Sequence, residues 1–336
     1  MKKIILTLMA IGVLFASCKN SDWEFPDYGE TTVYFAKQSP VRTITLGDDV
    51  YDTSLDNEHK CQIMAVMGGV YENKTNRIVN IAVDASLCDG LSFADGEQVT
   101  PMPASYYTLA DNQIVIPKGR VLGGVEVQLN DAFFNDPKSI KNTYVIPVKI
   151  TDAENIDKVL EKQDYTLYAI KYINKWHGYW LSSGTDKIDD NGIVSTVDRK
   201  PQYVEKYDVR TLKTSAYKQV IYPLSTVVKV YNEKNELINK ELNAELILTF
   251  DNDDKCTITC TTPDCTATGA GTWKYQAAKK AWGDKDRDLL ELSYELTYYY
   301  TQKDGGPTLY KKYTCEDTLI ARDRGSKLET FTPKSN

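Results

Sequence analysis

Val125-Glu126-Val127-Gln128-Leu129 alternates apolar with polar side chains at every step, the period of a strand with one face toward a core and the other toward water. Reading outward toward the N-terminus, residues 121–129, 113–116, 106–109, 77–83, 61–67, 41–46 and 31–36 are short runs rich in β-branched and aromatic side chains. Clusters such as Gly47-Asp48-Asp49 and Glu72-Asn73-Lys74 punctuate them as turns do. Residues 144–151 continue the series on the other side, and only 155–163 read as a brief helix. Many short strands at this spacing predict a two-sheet sandwich over residues 31–163.

A second domain is expected over residues 164–336. It opens with 164–173 and then Trp176-His177-Gly178-Tyr179-Trp180. Its strand candidates are 202–211, 219–222, 227–231, 244–250, 256–261, 271–275, 289–300, 309–315 and 318–321. Asp251-Asn252-Asp253-Asp254 and Lys303-Asp304-Gly305-Gly306 are hairpin turns between them. Antiparallel strands in simple succession close into a barrel, which removes both exposed sheet edges. The fold class expected is therefore all-β, an immunoglobulin-like sandwich followed by a meander barrel.

The N-terminus carries an address. Met1-Lys2-Lys3 is positively charged, and residues 4–15 form an apolar run shorter than the roughly 20 residues a membrane span needs. It ends in Phe15-Ala16-Ser17-Cys18, the pattern of a lipoprotein signal peptide over residues 1–18 with Cys18 as the lipidated residue. Residues 19–30 then form a tether, and Lys19-Asn20-Ser21-Asp22-Trp23-Glu24 resembles the surface-export signal of Bacteroidetes lipoproteins. The expected location is the outer membrane, lipid-anchored, on the cell surface or else on the periplasmic face.

Composition narrows the function. The net charge is −7 and the basic residues are scattered, which disfavours nucleic acid, since that partner requires clustered Lys and Arg. Besides Cys18 there are Cys61, Cys88, Cys256, Cys260, Cys265 and Cys315, an even number that permits disulfides in an oxidising compartment without fixing their pairing. Cys256 and Cys260 share one face of a strand. No CxxC pair is present and His59 and His177 are the only histidines, so neither zinc nor any other metal or cofactor is expected.

Val33-Tyr34-Phe35-Ala36, Tyr106-Tyr107-Thr108-Leu109, Ile114-Val115-Ile116-Pro117-Lys118-Gly119, Val125 through Leu129 and Tyr144-Val145-Ile146-Pro147-Val148 together resemble the domain of unknown function 1735. That family is an immunoglobulin-like sandwich at the front of Bacteroidetes surface lipoproteins, and the likeness covers about residues 30–170. It implies a setting beside glycan-uptake systems of the starch-utilisation type, with outer-membrane transporter components as partners. Gly178-Tyr179-Trp180 is similar to the Gly-x-Trp opening of lipocalin-like barrels, and Gly269-Ala270-Gly271-Thr272-Trp273 fits a later stave. Neither resemblance brings catalytic residues with it.

The second domain is dense in aromatics. Trp176, Tyr179, Trp180, Trp273, Trp282, Tyr298 and Tyr300 are the candidate ligand-binding residues, because sugar C–H faces stack on rings while acidic and amide side chains bind the hydroxyls. Core packing is the competing role for each of them. Asp186 with Asp189-Asp190-Asn191, and Asp251 to Asp254, offer oxygens to calcium but fit turns better. No nucleophile elbow or phosphate-cradling loop is present, and no catalytic residue is assigned. The expected role is glycan binding at the cell surface, without enzymatic activity. A docking lipoprotein is the main alternative, followed by a hydrolase and a carrier of an apolar ligand.

Overall fold

The structure is a computed structural model that describes residues 28–335. The expected signal peptide, Cys18 and most of the expected tether lie outside the described residues. Among the described residues no helix is long and apolar enough to cross a membrane.

The first domain is a sandwich of β1 (Thr32–Tyr34), β2 (Pro40–Thr45), β3 (Lys60–Gly68), β4 (Arg77–Val83), β5 (Tyr107–Leu109), β6 (Gln113–Ile116), β7 (Leu122–Leu129), β8 (Tyr144–Glu154) and β9 (Tyr165–Ile173). One sheet runs Lys158–Val159, β1, β3, β7, β5; the other runs Glu329–Thr330, β2, β9, β8, β4, β6. Alternation builds the core between them. In β3, Cys61, Ile63, Ala65 and Met67 are buried while Gln62 and Met64 are exposed. β8 is buried on both faces: Ile146 and Val148 join the inter-sheet core, whereas Val145 packs with Val41, Leu167 and Phe93 in a second cluster.

Two expectations are corrected here. The sandwich does not end at residue 163, because β9 lies parallel to β2 (Ala169↔Val41 to Ile173↔Thr45) and antiparallel to β8 (Tyr144↔Ile170). The C-terminal tail returns to the same domain, with Glu329–Thr330 on β2, Lys334–Ser335 on Leu91–Ser92, and Phe331 against Phe93 at 4.7 Å. Periodicity reveals a strand but not its partner. Residues 155–163 are not helical either: Asn155 and Lys162 have φ of 59° and 63°, and Lys158–Val159 lies alongside β1. The Asp157 carboxylate fixes that pairing by accepting from the Thr31 amide at 2.6 Å and hydroxyl at 2.7 Å.

The second domain comprises β10 (Gly178–Asp190), β11 (Ile193–Asp198), β12 (Asp208–Ala216), β13 (Gln219–Tyr231), β14 (Leu237–Phe250), β15 (Lys255–Cys260), β16 (Cys265–Trp282), β17 (Lys285–Thr301) and β18 (Thr308–Asp323). β10 and β12 to β18 form an antiparallel meander that closes when β18 pairs along β10, from Tyr179↔Asp323 to Asp190↔Lys311. The other edge of β10 is shared, Gly178 to Ser182 with β12 and Thr185 to Asp190 with β11. β11 was not expected from sequence, and 219–222 with 227–231 proves to be one strand through Pro223. The pairing of β13 with β12 stops at Ile221, so Pro223 removes no bond from that ladder.

The interior is filled. Leu290, Leu292, Tyr294, Leu296 and Tyr298 point inward, alternating with Glu291, Ser293 and Glu295 outside. Across from them β16 is pared down to Gly269 and Gly271. Among these residues sits an ionic cluster. Arg199 donates to both oxygens of Asp186 at 2.7 and 2.8 Å and also to Asp317, whose other oxygen accepts from Tyr222 at 3.1 Å and Tyr294 at 2.9 Å. The space left beside it is ≈70 Å³, far below the ~300 Å³ lower range of small-molecule pockets, which argues against an apolar cargo in the barrel.

A side chain at Gly269 would bring its Cβ within 2.4 Å of the Tyr294 Cβ and of the Ser293 carbonyl oxygen. Gly269→Ala is therefore expected to destabilise the protein by about 1–3 kcal/mol through overpacking. Urea denaturation checks this, and an unchanged midpoint would show that the stave has slack.

Candidate functional site

The two domains meet at Arg324, just beyond β18. Its buried guanidinium donates to the His177 carbonyl at 2.8 Å, to the Asp48 carbonyl at 3.1 Å and to the Asn174 carbonyl. Burial draws its pKa down to about 10, against the opposing pull of Asp49, Asp288 and Asp48. Asn174 is itself fixed, its side-chain amide donating to the carbonyls of Ala216 at 2.9 Å and Gln219 at 2.8 Å. Gly47 has φ 83° and lies so close to Lys175 that a Cβ there would come within 2.8 Å of the Lys175 Cβ. The loop from Gly47 to Ser54 is held by Thr53, whose hydroxyl donates to the Gly47 carbonyl at 2.8 Å, and by Asp52, which accepts from the Ser54 amide at 3.0 Å.

This junction walls a cleft of ≈390 Å³. Asp48, Tyr51 and Asp52 form one side; Tyr179, Gln276, Asp288 and Arg322 are on the other. Tyr51 and Tyr179 are 68% and 42% exposed, so both rings are open to a ligand. The Tyr179 ring is backed by Gly325 (φ 65°), where an added Cβ would meet it at 2.8 Å. Asp48 accepts from the Tyr275 hydroxyl at 2.6 Å and the Gln276 amide at 3.2 Å. Gln276 sits at a break in the β16–β17 ladder with φ 43°, and its backbone N–H donates to Asp288 at 2.9 Å. Burial raises the Asp288 pKa, the Gln276 hydrogen bond opposes this, and the charge of Asp48 adds to it. A second cavity of ≈320 Å³ shares Asp49, Tyr51, Asp52 and Thr53 with the first and continues beneath residues 326–328. The whole is a groove with open rings and fixed polar groups, suited to a ligand with both C–H faces and hydroxyls.

Most of the aromatics singled out from sequence lie elsewhere. Trp176 is buried and stacks on Phe250 at 3.9 Å and 8°, with Lys175 held over the rings of both Trp176 and Trp273. Trp180 is buried and donates to the Trp176 carbonyl at 3.1 Å; Trp273 is buried too. These three rings plug the barrel end and offer no free face, so they are corrected from ligand platform to core. Tyr298 is buried against Tyr313 at the opposite end of the barrel, and Tyr300 is half-buried with its hydroxyl accepting from Asn191 at 3.0 Å. Trp282 is half-buried near the β16–β17 turn, its carbonyl accepting from Arg287 at 3.1 Å. Of these seven, Tyr179 alone is exposed in the cleft, with the buried Trp180 behind it.

Sequence reading missed Asp48, Tyr51, Gln276, Asp288 and Arg324. Gly47-Asp48-Asp49 was legible as a turn, but nothing in the sequence placed that turn against a barrel end. The acidic clusters serve the fold: Asp186 pairs with Arg199, Asp251 caps its turn by accepting from the amides of Asp253 and Lys255, and Asp254 pairs with Lys175. Among the described residues no group of three or more His, Cys, Asp and Glu side chains is arranged to hold a metal ion.

Sandwich and barrel thus define an all-β protein of two domains with a composite cleft at their junction. Residues 175–325 match the family model of the domain of unknown function 5627, and residues 28–157 match a model described as an N-terminal domain. No curated protein matches the chain. Among solved structures, a protein of unknown function from Bacteroides ovatus is 35% identical over 91% of this chain and 99% of that one, with a TM-score of 0.78. The chain belongs to the same family as that Bacteroides ovatus protein. A second Bacteroides ovatus protein of unknown function (15% identity, 89% and 99% coverage) has a TM-score of 0.42. An auxiliary nutrient binding protein from Bacteroides thetaiotaomicron (12% identity, 86% and 95% coverage) has one of 0.39. At those two scores the likeness carries no functional argument.

His177 gives the junction a pH dependence. Its Nδ1 accepts from the Thr214 amide at 3.0 Å, and burial, helped by the charges of Arg324, Lys171 and Lys213, lowers its pKa from 6.5 to about 4. The unfolded chain therefore binds the extra proton first, and stability is lost as pH falls from 6.5 toward 4. Thermal melts at pH 7 and pH 5 should show a smaller drop for His177→Gln than for the unsubstituted protein; equal drops would remove His177 as the cause.

Proposed function

We propose that the protein is an exported lipoprotein that captures an oligo- or polysaccharide in the cleft between its domains, on behalf of an outer-membrane uptake system. The observation that carries this reading is the cleft itself, where the exposed rings of Tyr51 and Tyr179 flank Asp48, Gln276, Asp288 and Arg322. Rings supply stacking faces for sugar C–H groups, and fixed carboxylate, amide and guanidinium groups supply hydroxyl partners. Further support comes from the signal sequence ending in Cys18 and from the resemblance of residues 30–170 to the domain of unknown function 1735, whose members often sit beside glycan-uptake systems.

A docking role is the second reading, favoured by β11. Every residue of that strand is exposed, its outer edge is unpaired, and Ile193, Val194 and Val197 carry apolar side chains into solvent.

Affinity gels loaded with host and plant polysaccharides test the first reading on residues 19–336. Retardation by one glycan is expected, and Tyr179→Ala or Tyr51→Ala should weaken it about tenfold, equivalent to ~1.4 kcal/mol. Retention of full affinity by both variants would move the site away from the cleft. No retardation by any glycan would favour docking, which pull-down with and without Val194→Lys would then examine. In the producing cell, Cys18→Ser should abolish incorporation of labelled fatty acid and release the protein from the membrane fraction; continued labelling would overturn the lipoprotein assignment.

A further inference from the structure

At the barrel rim far from the cleft, Cys260 ends β15 and Cys265 opens β16. The turn between them is closed by the Cys265 amide donating to the Thr262 carbonyl at 3.2 Å, with Pro263 at its second position and Asp264 at φ 59°. The β15–β16 ladder runs to Thr259↔Thr268, and the same register carried one step further sets Cys260 opposite Ala267. Cys260 and Cys265 are therefore diagonal neighbours with side chains on the same inner face. Cys260 lies close enough to act on the Cys265 thiol, whose Sγ also approaches the Asn243 carbonyl at 3.6 Å.

Access separates this pair from the other described cysteines. Cys61, Cys88, Cys256 and Cys315 are buried, whereas Cys260 and Cys265 are half-buried. Cys265 also lines an open depression of ≈320 Å³ with Pro263, Asp264, Tyr298 and Tyr299.

We propose that Cys260 and Cys265 are a thiol–disulfide exchange pair that closes to a disulfide across the β15–β16 turn in an oxidising compartment. The oxidant is a low-molecular-weight disulfide. The Cys260 thiolate attacks one of its sulfurs, forming a mixed disulfide and expelling one thiol. Cys265 then loses its proton and attacks the Cys260 sulfur, expelling the second thiol, so the protein gives up two protons and two electrons and one disulfide becomes two thiols. Burial, with Cys260 and Asp264 nearby, pushes the Cys265 pKa up to about 11, so closure is slow near neutral pH and accelerates as pH rises.

The test equilibrates residues 19–336 with oxidised or with reduced glutathione, alkylates free thiols and digests with trypsin. Cleavage after Lys255 and Lys274 releases one peptide holding Cys256, Cys260 and Cys265. After oxidation it should lack two of the three alkyl groups of the reduced control, carry the remaining one on Cys256 and show Cys260 joined to Cys265. The oxidised protein should also melt a few degrees higher than the reduced one. Cys256→Ser should keep both effects and Cys265→Ser should lose both. If Cys265→Ser fails to fold, the peptide map of the unsubstituted chain decides alone. Full alkylation of Cys260 and Cys265 in the oxidised folded protein, or a bond from either one to Cys256 or Cys315, would overturn the proposal.

Discussion

One guanidinium holds the architecture together. Arg324 spends its donors on backbone carbonyls of three segments: the sandwich loop at Asp48, the linker at Asn174, and His177 before the first barrel stave. A buried charge without a contacting carboxylate is costly, and several charge-assisted hydrogen bonds of about 1.5–3 kcal/mol each are what offset the loss of water. Arginine suits the position because its planar fork addresses separate acceptors at fixed angles, whereas a lysine ammonium would satisfy one or two of them without fixing the geometry. The chain leaves Arg324 through Gly325 and returns to the sandwich as Glu329–Thr330 on β2. Entry to and exit from the barrel thus pass the same residue, which ties two independently cored domains into one frame.

That frame explains where the molecule keeps free polar groups. The barrel interior is closed to a sizeable ligand by its own side chains, and its ionic cluster is closely hydrogen-bonded: Arg199 bridges Asp186 and Asp317, and two tyrosine hydroxyls complete Asp317. A low-dielectric interior makes such a cluster rigid, since losing Arg199 strands two carboxylates and losing a tyrosine leaves Asp317 short of a donor. Along the groove the pattern reverses. Asp48, Gln276 and Asp288 are positioned by hydrogen bonds among themselves and with Tyr275, yet they border solvent alongside open rings. Polar groups held in place before a ligand arrives lower the ordering cost of binding.

The all-β class and the meander were legible because alternation is a local property: Val125 to Leu129 and Leu289 to Tyr300 declare strands wherever they are placed. Boundaries were less legible. Tyr165–Ile173 is as strand-like as its neighbours, and only its pairing with β2 and β8 assigns it to the sandwich. A proline made 219–231 look like two strands, since the sequence does not show which edge of β13 is free at Pro223. In the aromatic-rich region, chemistry alone did not distinguish Tyr179, open to the cleft, from Trp180 one residue on. Successive side chains in a strand face opposite ways, and here the inward one is the tryptophan.

The cleft escaped sequence reading for a reason that bears on what it does. Its walls come from a turn after β2, a ladder break in β16, the first turn of β17 and the end of β18, segments separated by most of the chain. None of these is a motif alone, and each is a position where regular pairing stops. Groups at strand ends escape the alternation that commits interior positions to core or solvent, so they can be aimed at a ligand without disturbing the sheets. A site of this kind exists only while both domains are docked, and its geometry is as precise as the Arg324 junction beneath it. The sandwich therefore builds one side of the groove: Asp48 and Tyr51 reach it from that domain, and Tyr179, Gln276 and Asp288 meet them from the barrel.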